Sequence, residues 1–573
     1  MYGIYGIYGA GSPPEREAVL TEGEELRSFN TISLRVSQHT LRKFMQDKLW
    51  CDKGEYLYAL EGVVFNMTEL VQKYGEPLLP NMFLQKGETF VQELRGSFSL
   101  LFYVQSSNTC FLYTDHIGGK LVFYFEQGNS LFFAPSMSAM RQAMENAELD
   151  EQYAYSILTY GYSPTENTPI KGVFRLLGGE YLRMDEHGIL RKQYHRFDNT
   201  PIEGKSVGQH IQEVDRLFRQ AVRRMLDKNA QYNLDNLMPL SAGLDSRMVV
   251  WVANSLGAKV RNFTFSQTNY YDHIVPGQIS RYLGNDWVFE PLDGGDYLKN
   301  IDESIAKTEF LSQYSGPAQV WTHFQPIIQS QDGVIATGMV GDIVLSSHLK
   351  TNERYYIGEG AFSDKLLGRL KLLLPSNFTL RYANEEIYYL YVRGFLFANM
   401  GSPVVFQHYT ETSSPFADVD FLQYCFHIPF ALRKNYYLYD RWILQCYPQA
   451  AQWAHNGAVR IGHRPCNISL FHRTIPLSEW PKRAFWHIMK KMRIYDFYQT
   501  KEGDSMNPID SWLQTNVSLR KSLDEYIAAN LPLIKDKAQL QADCNFLIHN
   551  GVGLEKLAVI TLLSTIKQLH LSI

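Results

Sequence analysis

Apolar and polar positions fall into two regimes along the chain. Over the first 200 residues, β-branched and aromatic runs dominate: YLYALEGVVF, GSFSLLFYVQ, TCFLYTD, LVFYFEQGNSLFFA and GGEYLRMDEHGILRKQYHRF. Gly, Asn and Asp turns break these runs, which predicts strands with short connections. Only MTELVQKYG and SMSAMRQAMENA interrupt them with helical spacing. The polar segment RFDNTPIEGKS, carrying Pro201 and Gly204, predicts a linker.

Beyond it the period changes. VGQHIQEVDRLFRQAVRRMLDK repeats apolar residues at helical spacing, and the strand-like NLMPL follows. Then come the loop SAGLDS, the helix RMVVWVANSLG and a second strand KVRNFTFS, an alternation that predicts a parallel sheet. DGVIATG predicts another buried strand ending in Gly. From about residue 350 the pattern predicts a largely helical chain to the end, where GLEKLAVITLLSTIKQLHLSI repeats apolar residues every three or four. The expected organisation is an α/β multidomain protein, divided into residues 1–200 and 206–573.

Composition narrows this only a little. Hydrophobic residues make up 45% and charged residues 20% of 573, an ordinary globular balance. A net charge of -4, from 55 basic and 59 acidic side chains, offers no electrostatic footprint for nucleic acid. No run of about 18 apolar residues predicts a membrane span, and the start lacks a signal-peptide pattern. The 6 cysteines are scattered without a CxxC, so neither a disulfide framework nor a zinc ribbon is expected. His463, Cys466 and His472 cluster in HRPCNISLFH without a fourth ligand, and DGGDYL reads as a turn. The expected compartment is the cytoplasm.

Chemistry concentrates in PLSAGLDSR. Ser241, Gly243 and Ser246 free the backbone to curl around an anion where a helix begins. Asp245 would repel bare phosphate, which implies an intervening Mg²⁺. The spacing is not that of a Walker A loop, and its lysine is absent. Alone, such a loop is equally a capped strand-to-helix turn. Phe265 and Ser266 close the next strand, where backbone groups can meet adenine. VIATGMVGDIVLSS then brings Gly338, Gly341 and a second acid, Asp342, to another strand end. Two acids at two strand ends suit a Mg²⁺–triphosphate.

These motifs carry a resemblance. SAGLDS resembles the SGGxDS pyrophosphate loop of the asparagine synthetase family, and TGMVGDIVLSS lies where that family has SGEGADELFGG. SPFADVDFLQYCFHIP and TKEGDSMNPIDSWL resemble its later segments, PFLD…LP and KxGF…P…EWL. In the first part, LEGVVFNMTEL resembles FNGEIYNYxEL, ELRGSFSLLFY resembles LxGxFAxxxYD, and YTDHIGGKLVFYF resembles RDxxGxKPLYY. The matches are collinear over nearly the whole chain. The resemblance implies an N-terminal Ntn-type glutaminase-like antiparallel β-sandwich with helices. An ATP-pyrophosphatase (adenine nucleotide alpha hydrolase-like) parallel-sheet domain with a helical C-terminal extension would follow. It also implies adenylation of a carboxylate with ATP and Mg²⁺. Leu240, Ser241, Gly243, Asp245, Ser246, Phe265, Ser266 and Gly338 would hold the nucleotide, Asp245 and Asp342 the metal, and Lys501 in TKEGDS the developing negative charge.

Four positions depart from the family. Tyr2 stands where the family has its nucleophilic Cys, and a phenol is a far poorer anion at neutral pH. Its bulk would also keep Met1 in place. Glu61-Gly62 replaces the Asn-Gly that lends the oxyanion hole, and GEPLLPNMFLQKGE lacks the Ser/Thr-Asp pair that grips glutamine. In the synthetase half Met339 replaces a glutamate, and a thioether takes no proton. The first half is therefore expected not to hydrolyse glutamine. In this the chain resembles glutaminase-deficient members such as β-lactam synthetase and the lasso-peptide cyclases. The implied partner is a small-molecule or peptide carboxylate, with a homodimer or a precursor peptide as further options. Asparagine formation from free ammonia and a non-catalytic binding role are the alternatives.

Overall fold

The computed structural model describes residues 1–13, 20–346, 361–397, 401–456, 460–462, 467–470, 473–476 and 505–573. Two six-stranded antiparallel sheets build the first part. One runs, in spatial order, Phe174–Arg175, Phe123–Gln127, Ser130–Ala134, Gly3–Tyr8, Leu34–Leu41 and Glu24–Asn30. The other runs Gly188–Gln193, Glu180–Asp185, Thr109–Thr114, Gly96–Val104, Tyr56–Val64 and Trp50–Cys51. Successive side chains point to opposite faces of a strand. Ile4, Tyr8 and Leu34 of the first sheet thus meet Leu57, Leu101 and Leu112 of the second in one dry layer. The other face of the second sheet is covered by helices Met67–Tyr74 and Leu78–Lys86, through Leu70, Leu79 and Met82.

Tyr5 and Ile7 face the opposite way and pack, with Phe123 and Phe132, against helix Glu151–Tyr160. The last helix, Gly553–Gln568, belongs to the same core through Leu557, Ile560 and Leu563. Ser572 and Leu149 add backbone bonding between the end of the chain and the first part. The C-terminal extension therefore roofs the N-terminal sandwich.

Strands Glu24–Asn30 and Leu34–Leu41 were not apparent from the apolar pattern, because polar Gln38, His39 and Thr40 are buried in the second of them. Glu61 accepts from Gln38 and Thr40, and Glu24 pairs with His39.

Helix Val207–Gln231 opens the second part. Ser206 and Gln209 form a capping box at its start, and Ile211, Val214, Phe218 and Val222 give it one buried stripe. Strands Asn236–Pro239, Val260–Ser266 and Asp286–Pro291 then pair in parallel, with helices Asp245–Ser255 and Tyr271–Leu283 as crossovers. Ile335–Ala336 pairs in parallel with Thr412–Ser413, and a parallel bridge between Asp235 and Asp332 brings this pair beside Asn236–Pro239. Beyond residue 350 the described chain is largely helical, with Thr412–Ser413 and the hairpin Asn467–Leu470/Arg473–Pro476 as its strands. Among the described residues no helix is long and apolar enough to cross a membrane.

Candidate active site

Parallel pairing fixes where the chemistry gathers. Strands Asn236–Pro239 and Ile335–Ala336 run the same way side by side, so the segments leaving their carboxyl ends share one edge. The first becomes the loop 241–246, the second the loop 337–342. They meet closely: a Cβ on Gly338 would lie 2.4 Å from the backbone nitrogen of Ser246, and one on Gly341 would lie 2.5 Å from the Asp245 carboxyl carbon. Val340 between them takes a left-handed conformation at φ 64°. Only glycines let the two loops touch here.

Within the first loop, the Ser241 N–H donates to Ser246 Oγ at 3.0 Å and the two hydroxyls are 2.8 Å apart. The Gly243 N–H donates to Ser241 Oγ at 3.2 Å. The loop is gripped from outside as well. Buried Arg247 donates to the Ala242 carbonyl at 2.8 Å and to the Trp453 carbonyl at 2.7 Å. On the other side the Ala242 N–H donates to Asp272 Oδ1 at 2.7 Å.

The two acids form one unit. The backbone N–H of Asp342 donates to Asp245 Oδ2 at 2.9 Å, and the buried Tyr439 hydroxyl donates to Asp245 Oδ1 at 2.8 Å. Burial, and then the charge of Asp342, push the Asp245 carboxyl up to about 8. Those contacts do not offset the cost of two neighbouring carboxylates, which a proton or a bound cation would relieve. Among the described residues no group of three or more His, Cys, Asp or Glu gathers as a metal site, so oxygens from a ligand would have to complete the shell.

A cleft of about 500 Å³ opens at this edge. Ser241, Gly243, Asp245, Ser246, Gly338 and Asp342 all line it, together with Phe265. Leu240 and Ser266 do not. Leu240 is 2% exposed, its backbone bonded to Phe263 and Thr264, while Ser266 is buried and its carbonyl accepts from Leu292 N–H. Both serve the sheet rather than the cleft. Lys501 lies outside the described residues, as do His463, Cys466 and His472. Sequence reasoning missed Tyr439, Arg247 and Asp272, whose roles depend on distant elements and leave no local motif.

In the first part, the Tyr2 hydroxyl donates to Glu24 Oε1 at 2.9 Å, and its ring lies 4.7 Å from that of His39. Glu61 is fully buried. It accepts from Gln38 Nε2 at 2.8 Å and Thr40 Oγ1 at 3.0 Å, and pairs with Lys48 Nζ at 3.1 Å. Lys48 and Lys120 both reach Glu411 of the second part, at 3.7 and 2.7 Å. Burial would raise the Glu411 carboxyl, but the two lysines hold it below the usual range. Lys228 and Asp47, 2.8 Å apart and equally buried, make a second ion pair across the seam.

Residues 33–195 match the glutamine amidotransferase domain family. The chain is 21% identical over 247 residues to asparagine synthetase [glutamine-hydrolyzing] 1 of Bacillus subtilis (strain 168), covering 42% of this chain. It is 22% identical over 237 residues to putative asparagine synthetase [glutamine-hydrolyzing] 2 of Methanocaldococcus jannaschii, covering 39% of this chain. It spans 35% and 45% of the lengths of these two relatives. Among solved structures, the glutamine phosphoribosylpyrophosphate amidotransferase of B. subtilis, complexed with ADP and GMP, matches at 12% identity and a TM-score of 0.23. That match covers 47% of this chain and 67% of the other.

Proposed function

From membership of the asparagine synthetase family, we propose that this chain is an ATP- and Mg²⁺-dependent ligase. It joins a carboxylate to an amine through an acyl-adenylate, releasing AMP and pyrophosphate, and takes no ammonia from glutamine of its own. The observation that carries this is the Asp245–Asp342 pair beside a curled serine loop at one edge of a parallel sheet.

The residues fit such a ligand. Asp245 and Asp342 would hold the metal, which would neutralise phosphate charge and draw electron density from the α-phosphorus. Ser241, Gly243 and Ser246 would offer hydroxyls and N–H groups to the pyrophosphate end, and Gly338 leaves the backbone open beside it. Tyr439 orients the Asp245 carboxylate. Lys501 is assigned the oxyanion of the acyl transfer. The ATP-pyrophosphatase reading of this domain, with Phe265 beside the base, belongs to the same proposal.

Glutaminase independence rests on Tyr2 and Glu61. A phenol hydrogen-bonded to Glu24 replaces the family's thiol, and a carboxylate paired to Lys48 replaces an oxyanion-hole amide. The substrate is a small-molecule or peptide carboxylate. Asparagine formation from free ammonia is the second reading; the names of the relatives favour the asparagine product, while Tyr2 and Glu61 argue for ammonia that does not come from glutamine. The test is carboxylate-dependent exchange of labelled pyrophosphate into ATP, screened first with L-aspartate. Exchange that Asp245→Asn abolishes supports the ligase, and ATP binding without exchange for any carboxylate supports a binding protein instead.

A further inference from the structure

Met339 and Thr337 line the nucleotide cleft on one side and a second cavity, of about 50 Å³, on the other. This cavity lies between the two halves of the chain and has room for about three waters. Most of its polar wall is already engaged. The Asp115 carboxylate accepts N–H bonds from Phe98, Ile117, Gly119 and Lys120, Arg95 pairs with Asp420 at 2.9 Å, and Gln407 donates to the Gly119 carbonyl.

Two groups are far less engaged. His116 is 2% exposed, and apart from a weak contact with the Gln92 carbonyl neither of its ring nitrogens has a hydrogen-bond partner among the described residues; Ser97, 5% exposed, has a hydroxyl without one. Buried polar atoms rarely stay so. His116 faces His195, Arg95, the Gln92 carbonyl and Asp420, besides the cavity. Its ring stands edge-on to that of His195 at 4.7 Å. His195 is half-buried beside Asp198, which lies 3.3 Å from His427 at the exposed rim.

We propose that this cavity carries away the proton released by the attacking amine, with His116 accepting it through cavity water. The inference rests on the ligase reading and supplies what the Met339 thioether cannot. The amine lone pair forms the new C–N bond, and an N–H bond of the resulting ammonium breaks. Its proton passes to a water, which gives one of its own to a ring nitrogen of His116. The opposite ring nitrogen releases its proton towards His195 and the rim, while the acyl–oxygen bond breaks with its electron pair on the departing phosphate. Burial, then His195 and Arg95, push the His116 imidazole well down. Burial and then Arg95 push His195 down as well, to about 4, so neither ring keeps the proton and it leaves to solvent at the rim.

Two experiments test this. A crystal structure of the full chain is expected to show water hydrogen-bonded to His116 and Ser97, and a dry cavity overturns the proposal. The second compares pyrophosphate exchange with amide formation, using L-aspartate and ammonium, then hydroxylamine, as probes. In His116→Phe, exchange is expected to stay within about twofold of the parent while amide formation falls roughly a hundredfold. Hydroxylamine, a less basic nucleophile whose adduct sheds its proton readily, is expected to recover most of the rate. His116→Gln fills the space and keeps hydrogen bonding but cannot cycle a proton, so it should fail as His116→Phe does. Equal losses in exchange and amide formation, or no loss in either, overturn the relay. A parent protein with no exchange overturns the ligase reading and the relay that rests on it, whereas the crystal structure decides the cavity's contents on its own.

Discussion

The backbone N–H of Asp342 donates to the carboxylate of Asp245 across 2.9 Å, joining the ends of two strands that are far apart in sequence. The bond locks the second acid's loop to the first acid's side chain. The two carboxylates are thus set next to each other before any cation arrives, with Tyr439 holding the far oxygen.

Mg²⁺ with ATP is expected to raise the melting temperature, and excess chelator to remove the gain. Asp245→Asn loses one charge of the pair and should lose most of that gain while folding normally. Tyr439→Phe leaves the charge but frees its orientation, so a weaker response is expected. Thermal unfolding with and without Mg²⁺–ATP reads all three.

Gly338→Ala is expected to weaken nucleotide binding at a modest cost in stability. The added Cβ would lie 2.4 Å from Ser246 N and 2.7 Å from the Asp245 carbonyl carbon. Both are backbone atoms, so the loops themselves must separate, at about 1–3 kcal/mol. Equilibrium titration with a labelled ATP analogue should show at least a roughly tenfold weaker affinity, which corresponds to about 1.4 kcal/mol.

Tyr2→Cys is expected to produce no glutaminase. The new thiol would stand beside Glu24 and His39, and Glu61, a buried carboxylate paired to Lys48, offers no N–H donor to an oxyanion. Adding Glu61→Asn strips Lys48 of its nearest counter-charge, and the double variant should be markedly less stable. Glutamate release from glutamine, beside a melting curve, checks both statements.

Acid stability depends on Tyr2 as well. Burial would raise Glu24, but bonds from the Thr21 N–H and the Tyr2 hydroxyl, with His39 behind them, hold it down to about 2 from 4.5. A folded-state value below the unfolded one gives stability that is present above about pH 4.5 and lost as the pH falls towards 2. Tyr2→Phe should cost about 1 kcal/mol at neutral pH. Its stability should also fall less steeply between those limits, as read by chemical denaturation at a series of pH values.

Much of the site was legible because its chemistry is local. SAGLDS and TGMVGD each carry their glycines and acid within a few residues, and strand periodicity says where they go. Leu240 and Ser266 show the limit of that reasoning. They flank the motifs in sequence, yet the sheet takes up one's side chain and the other's carbonyl. Strand Leu34–Leu41 was hidden for the opposite reason. Its buried Gln38 and Thr40 are satisfied by Glu61, 21 or more residues away, and no local pattern announces such a partner.

Lys48, Glu61, Glu411 and Lys120 also govern how the molecule can move. Glu411 loses both Lys48 and Lys120 as soon as the halves part, and Lys120 loses Glu411, whereas Lys48 keeps Glu61 within the first half. Breaking such a pair from one side costs about 3–5 kcal/mol. Glu411→Leu should reveal that cost directly as lost stability, where Lys73→Ala at an exposed pair should cost under about 1 kcal/mol. Separating the halves would break Lys120–Glu411 and Lys228–Asp47 together, so the seam is a fixed wall, and a ligand of the cleft would enter by the cleft's own mouth.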